Sequence, residues 1–271
     1  MVYTPSASGL TRDLRAELGE TGDMRRGGGL RDPEKHLAGR PAPQRQAELR
    51  YLRADASIVT RQHAVPMHPV FDAAFSAFAR GTLIATTRGP VAVEDLDPGD
   101  KVVTNERGPS PVLWIGRMTW GGQHDDAFQT QSGPRLTRIR TGALGLGRPL
   151  ADVLTGPGAR ILHRNEGRPG EGGTGRMLRP IHDMIDGTHV ISLSPPGEVE
   201  LYHVGLRRHA TITAAGLDFE TYHPGPGFET QMTLQQLALF MQLFPHTMRP
   251  ADFGSLVHPR APLGDGGRAV A

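Results

Sequence analysis

Cysteine is absent from the 271 residues of this chain. Disulfides, thiolate metal sites and cysteine nucleophiles are therefore excluded. No apolar run approaches the roughly 20 residues that a membrane-spanning helix requires, so an integral membrane protein is not expected. The first residues lack a basic start followed by an apolar stretch, which argues against a Sec signal. We therefore expect a cytoplasmic protein, unless it is exported by a leaderless route.

Lysine is nearly absent as well, because Lys35 and Lys101 are the only two in the chain. The remaining basic residues are arginines, and the formal net charge is only +2. These arginines are scattered among acidic residues rather than clustered with aromatic ones. Nucleic-acid binding is therefore not expected.

Hydrophobic residues make up only 37% of the chain, which contains 35 glycines and 23 prolines. This composition argues against a helical bundle and favours an all-β fold of short strands and turns. Strand-like segments such as Thr82–Thr86 are separated by strong turn signals such as Asp97-Pro98-Gly99-Asp100. Further along, Thr233 is placed to cap a helix that ends before Pro245.

Changes in composition along the chain predict four parts. They are a polar N-terminal arm over 1–70, a β domain over 71–228, a C-terminal helix packing on that domain over 229–260, and a flexible tail over 261–271. Within the arm, short helices are expected over Leu10–Leu18 and Arg45–Leu52. The Gly-rich stretch 164–175 has no apolar residues to bury, and we expect it to be a flexible insertion.

Four segments carry a resemblance to a known family. They are GTLIATTRGPVAVEDLDPGDKVVT (81–104), PVLWIGR (111–117), TGALGLGRPLADVL (141–154) and TAAGLDFETYHPG (213–225). In this order they resemble the bacterial branch of the Hedgehog/intein, or Hint, domain family. The resemblance implies a compact, pseudo-symmetric all-β fold. It also implies self-directed chemistry, in which a Cys or Ser at the first position attacks the carbonyl of the preceding peptide bond. A (Ser/Thr)-x-x-His element then polarises that bond and protonates its nitrogen.

The chemical positions of the family are replaced in this chain. Ala77 stands at the nucleophile position of an opening that resembles Cys-Phe-x-x-Gly-Thr. In the second element, Gly156 and Ala159 stand where the family carries its hydroxyl and its imidazole. Where relatives tend to show Asp-Arg-His, this chain has Arg207-Arg208-His209, so the histidine survives and the acid is gone.

These replacements predict a degenerate Hint domain without autocatalytic cleavage or splicing, acting as a structural or protein-binding module. A groove around Ala77 and Ala159 would hold a partner protein or the chain's own N-terminal segment. The alternative is autoprocessing near Ser76/Ala77 through a Ser ester, with Ser76, Thr155 and His209 as the remaining candidate residues. A structural subunit of a larger assembly is a third possibility that the sequence leaves open.

Twelve histidines raise the question of a metal site. His203 and His209 could share one sheet face, with His223 nearby in sequence, and His124-Asp125-Asp126 offers ligands on a loop. None of these has the tight spacing of a zinc site. No metal and no cofactor are therefore predicted.

Overall fold

The computed structural model describes residues 43–121, 135–164 and 175–261. The helix expected over Leu10–Leu18, nearly all of the insertion at 164–175 and the tail after residue 261 lie outside the described residues. The described part of the chain forms fifteen strands and two α-helices, so the all-β expectation is confirmed.

The strands are β1 (Gln44–Leu52), β2 (Ile58–Pro66), β3 (Phe78–Ala79), β4 (Leu83–Thr86), β5 (Gly89–Ala92), β6 (Lys101–Thr104), β7 (Gly108–Trp120), β8 (Leu136–Ile139), β9 (Val153–Thr155), β10 (Arg160–Arg164), β11 (Arg176–Pro180), β12 (Val190–Leu193), β13 (Val199–Leu206), β14 (Thr211–Ala214) and β15 (Leu217–Glu220). The helices are α1 (Pro69–Phe75) and α2 (Leu234–Gln242). Short 3₁₀ helices occupy Val93–Asp95, Ile181–Met184, Phe228–Gln231 and Pro250–Phe253.

The strands form one antiparallel sheet, in the order β11-β10-β15-β14-β4-β6-β7-β13-β3-β9-β8-β12. Strand β5 pairs with β4, and the hairpin of β1 and β2 joins the sheet through β7. Strand β3, which carries the start of the family-like region, lies between β13 and β9. This order brings residue 77 next to residues 155–159 although they are far apart in the sequence.

The long strand β7 links the two halves of the sheet. Its first residues pair with β6, and its later residues pair with both β1 and β13. The turn before β6 forms as the sequence predicts, because Asp100 N donates to the Asp97 carbonyl oxygen at 3.0 Å. Gly99 adopts a φ of 106° in this turn, a value that side-chain-bearing residues rarely accept.

The expectation of a helix over Arg45–Leu52 is wrong. This segment is β1, which pairs with β2 along its whole length and with β7 from Ala47 to Tyr51. Ala47, Leu49 and Tyr51 are buried while their neighbours are more exposed, and this period of two is the pattern of a strand. The sheet therefore begins at Gln44, before the boundary expected at residue 71.

Both α-helices begin at recognisable caps. His68 accepts a hydrogen bond from Val70 N and is followed by Pro69 in the first turn of α1. Thr233 and Gln236 form a capping box at the start of α2, as the sequence predicts. None of the helices among the described residues is long and apolar enough to cross a membrane.

Two hydrophobic clusters form the core. One contains Ala77, Phe78 and Ala159 together with the apolar residues of β4, β14 and β15. The other contains Trp114 and a set of phenylalanines from both helices. In this second cluster the rings of Phe71 in α1 and Phe240 in α2 lie 5.4 Å apart. The two clusters meet around β3, where the family-like region begins.

Candidate functional site

The peptide bond between Ser76 and Ala77 lies in the interior, between the end of α1 and strand β3. Ser76 is 0% exposed and Ala77 is 1% exposed. The Ser76 carbonyl oxygen accepts a hydrogen bond from Gly158 N at 2.9 Å, and Ala77 N donates to the Tyr202 carbonyl oxygen at 3.0 Å. Both polar groups of this peptide bond therefore have backbone partners.

Gly156 and Gly158 are the residues that press against this bond. A Cβ added to Gly156 would collide with the Ser76 carbonyl oxygen and would lie 2.8 Å from Leu201 Cδ1. A Cβ added to Gly158 would lie 2.5 Å from the Ala73 carbonyl oxygen. Real Cβ atoms do not approach other atoms so closely, so glycine is required at both positions for the backbones to pack in this way.

The structure brings together Ala77, Gly156 and Ala159, the three residues expected from the sequence to occupy the family's chemical positions. Gly156 N donates to the Ala77 carbonyl oxygen at 3.1 Å, and Ala159 N donates to the Gly156 carbonyl oxygen at 3.2 Å. Ala159 is only 1% exposed. Ala77 and Ala159 are therefore both buried in the core, so their side chains do not line an open groove of the kind expected around them.

The two hydroxyl candidates are both buried but differ in their partners. Ser76 Oγ accepts a hydrogen bond from Gly158 N at 3.2 Å. No imidazole or carboxylate of the described residues forms a hydrogen bond with it. Thr155 lies in β9 opposite Phe78, and its Oγ1 donates to the Thr137 carbonyl oxygen at 3.1 Å. Thr155 therefore joins β9 to β8 and does not face the Ser76–Ala77 bond with a free hydroxyl.

His209 belongs to a separate buried cluster. Val257 N donates to His209 Nδ1 at 3.0 Å, so the proton of the neutral ring lies on Nε2. His209 Nε2 donates this proton to Glu220 Oε1 at 2.9 Å. With both ring nitrogens engaged, His209 is not placed to serve the Ser76–Ala77 bond.

Glu220 is the centre of that cluster. Arg260 binds Glu220 Oε1 through Nε and Nη2 at 3.0 and 2.9 Å, and Arg160 Nη1 lies 3.8 Å from Oε2. Burial alone would raise the pKa of the Glu220 carboxyl. The His209 hydrogen bond and the two guanidinium groups outweigh burial and lower this pKa to about 2.

His203 is the imidazole that the strand pairing places beside Ala77, and its place there cannot be deduced from the sequence. Strand β13 pairs with β3 at Leu201–Ala79 and Tyr202–Phe78, so His203 is the next residue toward Ala77. Its Nδ1 contacts the Ala73 carbonyl oxygen at 3.0 Å, and burial lowers its pKa to about 4. Only the pairing of β13 with β3 reveals this position, because no local pattern predicts which strand lies beside residue 77.

The histidines considered for a metal do not converge. The rings of His209 and His223 lie 5.2 Å apart, but His223 Nδ1 accepts from Gly225 N and Nε2 contacts the Gly254 carbonyl oxygen. Among residues 43–121, 135–164 and 175–261, no group of three or more His, Asp or Glu side chains is placed to hold a metal ion. The stretch His124-Asp125-Asp126 lies outside the described residues.

Comparisons with known proteins give one family match and several distant structural similarities. The model of the Hint domain family matches residues 76–226. A bacterial intein-like domain from Clostridium thermocellum is 15% identical, with 54% of this chain and 98% of that chain covered and a TM-score of 0.34. The gp41-1 intein is 14% identical over 54% of this chain and 98% of its own, with a TM-score of 0.33. A search of the curated proteins found no match.

The family match begins at Ser76, beside the buried peptide bond described above, and ends after the last strand of the sheet. It spans more than half of the 271 residues. The resemblance read from the sequence motifs is thereby confirmed, and this chain belongs to the Hint domain family.

Proposed function

We propose that this protein is a degenerate Hint domain that does not cleave or splice its own chain and acts as a structural or protein-binding module. The observation that carries the proposal is the closed packing of Gly156 against the Ser76 carbonyl, at a bond followed by Ala77. Self-cleavage requires a nucleophile beside this carbonyl, and the Ala77 methyl group cannot act as one.

The remaining groups around the bond supply polarisation but no proton transfer. Gly158 N donates to the Ser76 carbonyl oxygen, as an oxyanion-stabilising group would. Ala159 and Gly156 carry no group that could protonate the departing nitrogen of residue 77. The neighbouring His203 contacts the Ala73 carbonyl oxygen through Nδ1, and burial lowers its pKa to about 4, so it holds no second proton to donate to this nitrogen. A polarised amide without nucleophile and acid is expected to be stable.

The packing of the residues before the bond also supports the proposal, because it favours an N-terminal segment that stays bound to the domain over one that is released. Helix α1 ends at Phe75, whose ring lies 5.6 Å from that of Trp114 in the core. Strand β1 pairs with β7 through five residue pairs. Cleavage at residue 76 or 77 would leave these contacts intact, so the two fragments would stay associated.

The alternative is self-cleavage through Ser76. In that reaction Ser76 Oγ attacks the carbonyl carbon of Phe75, the bond to Ser76 N breaks, and the nitrogen takes up the hydroxyl proton as an ester forms. Hydroxylamine or water then cleaves the ester. The route requires a base near Ser76 Oγ, whereas the contact found there is the Gly158 amide.

Intact mass measured under denaturing conditions separates the two functions, because denaturant also separates fragments that remain associated. We expect a single full-length species after incubation with and without hydroxylamine. A fragment beginning at residue 76 or 77 would overturn the proposal. Its loss in the Ser76→Ala variant would then establish the ester route, and its persistence would point to another nucleophile.

A further inference from the structure

A cavity of about 780 Å³ lies away from the Ser76–Ala77 bond, at the end of the sheet where β13 terminates. Its walls come from residues 51–54, from residues 205–207 and from residues 245–248, with the rings of Tyr222 and Phe253 also lining it. Many of these residues lie outside the family match at 76–226. The volume is in the range of cavities that bind small molecules.

The charged side chains of this cavity leave positive charge available. Arg53 and Arg207 both line it, and both are exposed. No carboxylate in the described part of the chain forms an ion pair with Arg207. Within the described residues Arg53 forms no ion pair either, although the charge of Asp55, two residues away, interacts with it; Asp55 Oδ1 is directed to Ser57, accepting from Ser57 N at 3.0 Å and from Ser57 Oγ at 2.6 Å.

The acidic residue of the lining does not neutralise these arginines. Asp252 Oδ2 accepts hydrogen bonds from Met248 N at 3.0 Å and from Arg249 N at 2.9 Å. These backbone donors lower the pKa of Asp252 and fix its carboxylate at the start of a 3₁₀ helix, and the charge of this carboxylate is paired with Arg249, whose Nη2 lies 3.4 Å from Asp252 Oδ1. The free charge in the cavity is therefore that of the two guanidinium groups.

Two further lining residues carry polar atoms that lack partners. Tyr222 is 7% exposed, and its hydroxyl oxygen forms no hydrogen bond within the described residues. The same is true of His246 Nδ1, and burial lowers the pKa of this imidazole to about 4. A buried polar atom without a partner is unfavourable, so the polar groups at this end of the sheet are not fully satisfied by the described residues.

We propose that this cavity binds a small organic anion, with its carboxylate or phosphate on Arg53 and Arg207 and its apolar part against the rings of Tyr222 and Phe253. Guanidinium groups bind both kinds of anion through paired hydrogen bonds. The aromatic rings give an apolar surface that inorganic anions would not use. Anion binding in this cavity does not depend on whether the chain cleaves itself.

Calorimetric titration with benzoate, phenyl phosphate and inorganic phosphate tests the proposal and separates the carboxylate and phosphate sources. At least one of the two aromatic anions should bind more tightly than inorganic phosphate, with a dissociation constant below about 1 mM. Neutral benzyl alcohol should bind at least about tenfold more weakly than the better anion.

Arginine variants locate the binding. The double variant Arg53→Gln/Arg207→Gln should weaken binding of the better anion about tenfold or more, because the loss of a single charged hydrogen bond already lowers affinity by about tenfold or more. Arg135→Gln removes an exposed arginine elsewhere and should leave the affinity unchanged. Unchanged urea midpoints would show that both variants fold. No binding of either aromatic anion to the wild type, or equal binding to the double variant, would overturn the proposal.

Discussion

Replacing Glu220 with glutamine removes the negative charge from a cluster whose other members are His209, Arg160 and Arg260. Glu220 and His209 are 2% and 4% exposed, so water cannot take over the role of the carboxylate. The two guanidinium groups would be left half-buried or buried without their anion. Breaking a buried ion pair from one side typically costs about 3–5 kcal/mol.

The pKa shift of Glu220 gives a second, independent value for the stability that its carboxylate contributes, and it shows how this contribution changes with pH. Its value falls from 4.5 to about 2 on folding, which corresponds to about 3 kcal/mol of stability near neutral pH. Because the folded pKa is the lower one, this contribution is fully present above the unfolded value of 4.5. It is lost as the pH falls from there toward 2, and roughly 2 kcal/mol of it should be gone at about pH 3.

Urea unfolding followed by the fluorescence of Trp114 and Trp120 measures this contribution. Near pH 7 the Glu220→Gln variant should be about 3 kcal/mol less stable than the wild type, and the difference should shrink to about 1 kcal/mol near pH 3. Glu229→Gln, which changes an exposed glutamate, should cost less than about 0.5 kcal/mol at both pH values. A difference between Glu220→Gln and wild type that does not change with pH would refute the reasoning.

Three further predictions concern the buried peptide bond and the segment before it. In the same urea assay, Gly156→Ala should lower the free energy of unfolding by about 1–3 kcal/mol, because the new Cβ crowds its neighbours. The control Gly197→Ala, whose new Cβ meets nothing within 4 Å, should change it by less than about 0.5 kcal/mol. Ala77→Cys places a thiol at the expected nucleophile position but supplies no acid for the departing nitrogen, so the variant should stay whole in dithiothreitol when measured by mass spectrometry under denaturing conditions, as should Ala77→Val. A fragment beginning at residue 77 in the Cys variant would contradict the argument that the site lacks an acid as well as a nucleophile. Leu49→Ala should cost about 2–5 kcal/mol, because this side chain is fully buried in β1; an unchanged urea midpoint would mean that the hairpin contributes nothing to the fold.

The sequence predicts those features that depend on neighbouring residues. The turn at Asp97–Asp100 and the cap at Thr233 form as expected, because proline, glycine and threonine act there through local geometry. The hairpin of β1 and β2 was missed because its structure depends on pairing with a strand that is distant in the sequence. Ala47, Leu49, Tyr51 and Leu52 fit a weak helix as well as a strand, and only pairing with β7 decides between them.

The sequence resemblance selected three residues that prove to lie together, but it did not predict how they pack. The family motif aligns Ala77, Gly156 and Ala159, and the sheet brings all three together. From the sequence, Gly156 indicates only a lost hydroxyl. The structure adds that a side chain has no room there, because the backbone of residue 76 occupies the space. Such a close approach of two distant segments leaves no signal in local sequence.

Trp114 shows how far the folding unit extends beyond the family match. Its Nε1 donates to the Leu243 carbonyl oxygen at 2.7 Å, and its ring lies 4.8 Å from that of Phe244 and 5.6 Å from that of Phe75. All three neighbours lie outside 76–226. A fragment trimmed to the matched residues would lose these contacts and expose this indole to water, so a stable fragment has to extend at least from Phe75 to Phe244.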